Sequence, residues 1–327
     1  MWKRNFLSTK ALIVLLAFLM LTTGLVTEMV FAKEKKTVVM LRWRFKDRSE
    51  EAFEKVLNAS GFEINWQDYC ADEKKDKLVE IIKGLDTSKI DLIYSFGTTV
   101  SQVLKDMIKD VPIVYCIVSD PVGSGVVASW EHSGNNFTGA SNAVPVDAQL
   151  KALKRILNFK RLGMIHNPKE GNSVMWKDQA KAMEKDFDFT LVTADFTTKD
   201  DLESAMRTLV DEKVDAVWLS AVSAIKANQD ILLTAINDKK LPSITAMTDL
   251  AKRKDKDSAL VGLGPDYYKL GELAGEKALQ IFAGKKPTDI PSETLKSFDL
   301  IINTKTAEKI GMKIPLGILK TATEVVK

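Results

Sequence analysis

Residues 90–125 read IDLIYSFGTTVSQVLKDMIKDVPIVYCIVSDPVGSG, and this stretch constrains the fold more than any other. It holds two short apolar runs, 91–96 and 112–118, with an amphipathic segment between them. Each run breaks into small polar residues: Gly97, Thr98 and Thr99 after the first, Ser119, Asp120 and Pro121 after the second. That pattern predicts a βαβ unit with two polar loops at one sheet edge. In an open parallel sheet both loops fall at the carboxyl ends of the strands, where such folds hold ligands. Backbone N–H groups opening the helix after Gly97, with the Thr98 and Thr99 hydroxyls, suit a carboxylate or another anion.

The same alternation extends in both directions. Upstream, strand 37–43, helix 47–59, strand 62–69 and helix 72–85 lead into the βαβ unit, and strand 137–142 follows it. Short connections between alternating strands and helices predict a parallel sheet covered on both faces. From Asp147 the pattern restarts: helix 148–158, strand 161–166, helix 172–186, strand 189–195, helix 199–211, strand 215–220, helix 224–238 and strand 242–245. The fold class is therefore α/β, with two Rossmann-like lobes of parallel sheet and a cleft between them, a common place for a small-molecule site. The short strand 260–263 and the helix 267–283 are assigned to the first lobe, so lobe 1 is 33–143 with 260–287 and lobe 2 is 144–259 with 288–327. The chain then crosses back near 248–259 and again near 287–300, giving several crossings that act as a hinge. The only cysteines, Cys70 and Cys116, fall on the second and fourth strands, which are not neighbours in a 2-1-3-4 order, so two thiols are expected.

The N-terminus is of another kind. Lys3, Arg4 and Lys10 precede an apolar run from 11 to 26, and Val30-Phe31-Ala32 stands before the charged Lys33-Glu34-Lys35-Lys36. This predicts a secretory signal cut after Ala32, with no cysteine placed for lipid attachment, a periplasmic destination and no stable membrane insertion after cleavage. The excised segment carries three basic residues against Glu28 alone, and the whole chain has 47 Lys+Arg against 44 Asp+Glu, so the remainder is close to neutral. Its Lys and Glu are interspersed rather than gathered in a basic stripe, which argues against nucleic acid as a partner.

Enzyme signatures are missing. The two histidines, His132 and His166, have no cysteine or acidic cluster at zinc spacing, and no G-x-S-x-G elbow occurs. Gly123-Ser124-Gly125-Val126-Val127-Ala128 fits a loose dinucleotide pattern but follows the fourth strand rather than the first, so it reads as a turn. No catalytic residue, metal or cofactor is expected. The strand-end loops are the better constellation: Gly97-Thr98-Thr99 and Ser119-Asp120 in the first lobe, Asn167 to Ser173 and Thr248-Asp249 in the second. A zwitterionic solute needs anion donors, which Thr98, Thr99 and Ser119 supply, and a carboxylate for its ammonium, from Asp249 or Asp120. Trp43, ending the first strand, reaches the cleft rim and offers a face to a flat ligand. Asn142, Asn167, Asn172, Ser173 and Ser220 complete the expected ligand-binding set. Helix capping by Asn172 and Ser173 and a self-fixed turn at Asp120 are the competing structural roles.

These residues together resemble a family. Ser95-Phe96-Gly97-Thr98, Pro112-Ile113-Val114 with Ser119-Asp120-Pro121-Val122-Gly123-Ser124-Gly125, and Asn136-Phe137-Thr138-Gly139 are similar to the ABC-transporter substrate-binding proteins of the tryptophan/tyrosine-binding type. So are His166-Asn167-Pro168 with Glu170 and Asn172-Ser173, Asp266-Tyr267-Tyr268 with Leu270-Gly271, and Gly284 with Pro287, Ile290 and Pro291. The resemblance implies a type I periplasmic-binding-protein fold with a three-segment hinge and a closing cleft. It also implies a non-enzymatic protein that captures a small solute, often an aromatic amino acid, for an ABC permease and its ATPase. A periplasmic sensor component that passes ligand state to a membrane receptor is the alternative. Two stretches depart from the family's pattern, Ala221-Val222-Ser223 after the strand ending at Ser220, and Arg42-Trp43-Arg44-Phe45 after the first strand. An arginine at that edge favours a more acidic ligand.

Overall fold

The alternation is realised as two sheets. The computed structural model describes residues 33–327, so the expected signal and its cleavage lie outside the described residues. The first sheet contains β1 (Lys35–Arg42), β2 (Glu63–Cys70), β3 (Leu92–Phe96), β4 (Ile113–Val118) and β5 (Phe137–Ser141) in the order β2-β1-β3-β4-β5. All four pairings are parallel. Every residue of β3 and β4 is buried, as the near-continuous apolar runs demand of strands covered on both faces. Helices α1 (Arg48–Asn58), α2 (Lys75–Lys83) and α3 (Thr98–Met107) connect these strands. Helix α1 starts in a capping box: the Asp47 carboxylate accepts the Arg48 N–H at 2.8 Å, and Glu50 accepts the Asp47 N–H at 3.2 Å. Cys70 and Cys116 sit on β2 and β4 with two strands between them, and both are free thiols.

The second sheet contains β6 (Arg161–His166), β7 (Thr190–Asp195), β8 (Ala216–Leu219), β9 (Ser243–Thr245), β10 (Val261–Gly264), β11 (Asp299–Asn303) and β12 (Glu324–Val326). Its order is β12-β11-β10-β9-β8-β6-β7, and the β10–β11 pair is antiparallel. Its helices include α4 (Val146–Ile156), α5 (Gly171–Ala182), α6 (Leu202–Asp211), α7 (Ser223–Ala227) and α8 (Gln229–Asp238). The single helix expected over 224–238 is divided at Asn228, whose amide turns back to donate to the Ala224 carbonyl at 3.0 Å.

The strand expected in the first lobe is in the second. β10 pairs with β9 on one side and β11 on the other, and its flanks are tied in by Leu260 N–H to Ser243 Oγ (3.2 Å) and Asn303 N–H to the Leu260 carbonyl (3.0 Å). Backbone groups of a central strand need partners on both sides, and only this sheet provides them. The chain therefore crosses at 265–266, not at 248–259. Beyond that crossing, α9 (Tyr267–Phe282) does join the first sheet and packs on α1 so closely that a Cβ at Gly271 would stand 2.0 Å from the Ser49 carbonyl. Residues 290–294 then run along β5: Ser141 N–H donates to the Glu293 carbonyl at 2.7 Å, and Thr138 Oγ1 to the Ile290 carbonyl at 2.8 Å. The other crossings fall at 142–145 and 295–298.

Candidate functional site

The carboxyl ends of both sets of strands meet at a narrow cavity with an open mouth. On the first-sheet side, Trp43 and Arg44 follow β1, while Phe96 and Gly97 end β3. Gly97 has φ +84°, which turns the chain into α3 and sets Thr98 and Thr99 at its N-terminus against the cavity. Thr98 Oγ1 and Trp43 Nε1 are buried and have no hydrogen-bond partner in the protein. The Arg44 guanidinium lies 4.5 Å from the Phe96 ring centre and 4.8 Å from that of Phe45, and it donates to Asp47 at 3.1 Å. Ile117 reaches the cavity from a bulge between Cys116 and Val118, with φ 60°. A β-branched residue in that region costs about 1–3 kcal/mol, strain of the kind that clusters at ligand sites. Tyr267, opening α9, completes this face; its hydroxyl accepts from the Asn142 amide at 3.1 Å, and burial pushes its pKa well above the phenolic range.

The second-sheet side is built differently. Glu170 accepts from Ser223 N–H at 2.9 Å, Ala224 N–H at 3.0 Å and the Asn167 amide at 2.8 Å, so it caps α7 from the loop after β6. Burial raises its pKa even against these donors. Asn172 donates to the Ala221 carbonyl at 3.0 Å and fixes the 221–223 turn at the cavity wall. Lys226, on α7, is paired with Asp249 and stands 3.8 Å from Asp47 of the first lobe. Burial alone would raise the Asp47 pKa, but the charges of Arg44 and Lys226 hold it below the usual carboxylate range. Glu73, half-buried after β2, is pushed up to about 7 by burial and by the charge of Glu170.

Of the residues expected at the site, Trp43, Gly97, Thr98, Thr99 and Asn172 line the cavity. The others stand behind the lining. Asp120 accepts the Gly123 N–H at 2.8 Å and fixes its own turn, and the 123–128 stretch is a turn as expected. Ser119 and Ser220 are buried at strand ends. Asn142 holds Tyr267, Asn167 and Ser173 bond to each other at 2.8 Å, and Asp249 pairs with Lys226. Neither Asp120 nor Asp249, the acids expected for an ammonium group, lines the cavity. The expected set omitted Arg44, Phe96, Ile117, Glu170, Ser223, Lys226, Met247 and Tyr267, all of which line it. Among the described residues no group of His, Cys, Asp and Glu is placed to hold a metal ion, and no helix is long and apolar enough to cross a membrane.

Comparison with known proteins points the same way. The family model for ABC transporter substrate binding protein matches residues 43–326. A tyrosine-binding protein of Clostridioides difficile is 30% identical over 274 residues, covering 82% of this chain and 77% of that one. A Streptococcus pneumoniae ABC domain in complex with L-Trp superposes with a TM-score of 0.81 at 23% identity, covering 90% of this chain and 100% of that one. A ligand-free, open substrate-binding protein with adhesive properties from Clostridium difficile gives a TM-score of 0.65 at 28% identity, covering 89% and 99%. The chain superposes more closely on the L-Trp complex than on the ligand-free, open protein.

Proposed function

This chain belongs to the ABC transporter substrate-binding proteins, and on that premise we propose that it captures a small solute bearing a flat ring and a carboxylate, and hands it to a membrane permease driven by an ATPase. The family binds solutes and is not one of enzymes. Aromatic amino acids, the ligands in the names of two relatives, set the ring and the carboxylate as the shared chemistry. The observation that carries this reading is a cavity between two sheets whose first-lobe wall holds two buried donors, Thr98 Oγ1 and Trp43 Nε1, that no protein group satisfies. Leaving such groups unpaired costs about 1–3 kcal/mol each, which a solute would recover.

In this mechanism the carboxylate docks at the N-terminus of α3 beside Thr98. The ring lies among Trp43, Phe96 and Tyr267. Lobe 2 then swings about the three crossings and brings Asn172, the 221–223 turn and Lys226 over the solute. A ligand that touches both lobes favours the closed form by its differential contacts, and the closed form is what the permease recognises. The protein works outside the cytoplasmic membrane. Thermal denaturation of refolded protein with a panel of aromatic amino acids and aromatic carboxylates tests this reading. A ligand at a hundred times its Kd adds about 2.7 kcal/mol and raises Tm by several degrees. No shift with any ring-bearing carboxylate would overturn it.

A further inference from the structure

A chain of alternating charges crosses the cleft, and we infer that it is a clasp: Lys226, shared on closing between Asp249 of its own lobe and Asp47 of the other, draws lobe 2 onto lobe 1 without help from the solute. This rests on the reading that lobe 2 swings about the three crossings. The order is Arg44, Asp47, Lys226, Asp249, the first two from lobe 1 and the last two from lobe 2. Within lobe 1 the Arg44 guanidinium donates to Asp47 Oδ2 at 3.1 Å, and within lobe 2 Lys226 is hydrogen-bonded to Asp249. Between the lobes, Lys226 Nζ stands 3.8 Å from that same Asp47 oxygen.

Each lobe thus brings a neutral pair of its own. Opening the cleft leaves both pairs whole and parts only Lys226 from Asp47, so no charge is stranded by the motion. Closing adds one attraction where the Lys226 and Asp47 side chains are 8% and 15% exposed, and where little water is left to screen it. Both partners are aimed in advance. The other Asp47 oxygen accepts the Arg48 N–H at 2.8 Å in the capping box of α1, and Lys226 stands on α7, which Glu170 caps. A like-charged pair, Glu73 of lobe 1 and Glu170 of lobe 2, opposes the approach across the same cleft. The attraction therefore tips a balance and leaves the lobes free to reopen.

Small-angle X-ray scattering on the refolded, solute-free protein tests this. Asparagine caps a helix as well as aspartate does, so Asp47→Asn removes the charge and keeps α1. We expect it to lower the closed-to-open ratio about three- to tenfold and to raise the radius of gyration. Lys226→Met should do the same, and combining the two should open the protein no further. Asp249→Asn should not open it, because Lys226 then turns wholly to Asp47; the ratio should stay or rise. That difference in sign is the deciding quantity, since mere damage to the cleft would move the Asp47 and Asp249 variants alike. The same radius in wild type and Asp47→Asn, or an opening by Asp249→Asn as large as by Asp47→Asn, would overturn the clasp. Contraction on adding millimolar L-tyrosine or L-tryptophan would then leave the swing of lobe 2 standing, and no contraction would overturn the swing as well.

Discussion

The two walls of the cleft are made on different principles. On the first-lobe wall the buried polar atoms at the cavity, Thr98 Oγ1 and Trp43 Nε1, are without partners, and Ile117 is held in a strained backbone conformation. On the second-lobe wall Glu170 is engaged with three donors, Asn172 with the Ala221 carbonyl and Lys226 with Asp249, and the unpartnered Ser220 Oγ stands behind the lining. A wall with unmet donors gains from a solute, and a wall whose groups are satisfied keeps its shape with or without one. On the proposed reading, the first lobe reads the solute and the second is a preassembled cover.

The largest break in this comparison should come from Glu170→Ala. It strips the acceptor from two backbone N–H groups and the Asn167 amide in a buried place, and we expect a loss of about 3 kcal/mol in urea denaturation. Each lobe also holds one buried carboxyl raised by burial, and they differ in the same sense as the walls. Glu170 has both oxygens accepting, whereas Glu50 Oε1, under the first-lobe wall, has no partner. Burial pushes Glu50 up to about 7 from an ordinary 4.5, against the pull of Arg44. The folded state therefore keeps a proton that the unfolded chain has lost, and this contribution weakens stability as pH rises from about 4.5 through about 7. Glu50→Gln should stabilise the protein by about 3 kcal/mol at pH 8 and leave it unchanged at pH 4, again by urea denaturation. The same stability at both pH values relative to wild type would show that the carboxyl is ionised without cost.

Smaller effects sharpen the contrast. Thr98→Val removes a buried hydroxyl that bonds to nothing in the protein, so stability should rise by about 1 kcal/mol while the solute binds about 0.5–1.5 kcal/mol more weakly in calorimetry. Asp120→Ala should do the reverse, leaving affinity unchanged and costing about 0.5–1 kcal/mol of stability through its lost turn bond to Gly123. A loss of affinity there would return Asp120 to the solute.

Much of this was legible in the sequence. The first sheet's order and the α3 edge followed from the buried runs of β3 and β4 and the polar breaks after them, because strands covered on both faces have few other places to go. What stayed hidden depends on contacts between distant segments. Glu170 was visible as a loop residue, but its partners lie 53 and 54 residues onward. Lys226 looks like any solvated helix lysine until the Asp249 and Asp47 carboxylates are seen closing round it. Ile117 belongs to an apolar run that reads as plain strand, and nothing in its type signals a left-handed backbone. Strand β10 was grouped with α9 because the two are consecutive, whereas the chain changes lobes in the two residues between them.

Hydrogen exchange, followed at individual amides with and without the tightest-binding member of the aromatic panel, reads the two walls separately. Amides 98–100 should exchange readily in the free protein and become strongly protected with the solute, while Ser223 and Ala224, whose N–H groups are bonded to Glu170, should be protected in both states. The opposite pattern, with 98–100 indifferent to the solute and the 223–224 amides protected only in its presence, would make the second lobe the reader and contradict the division of labour drawn here.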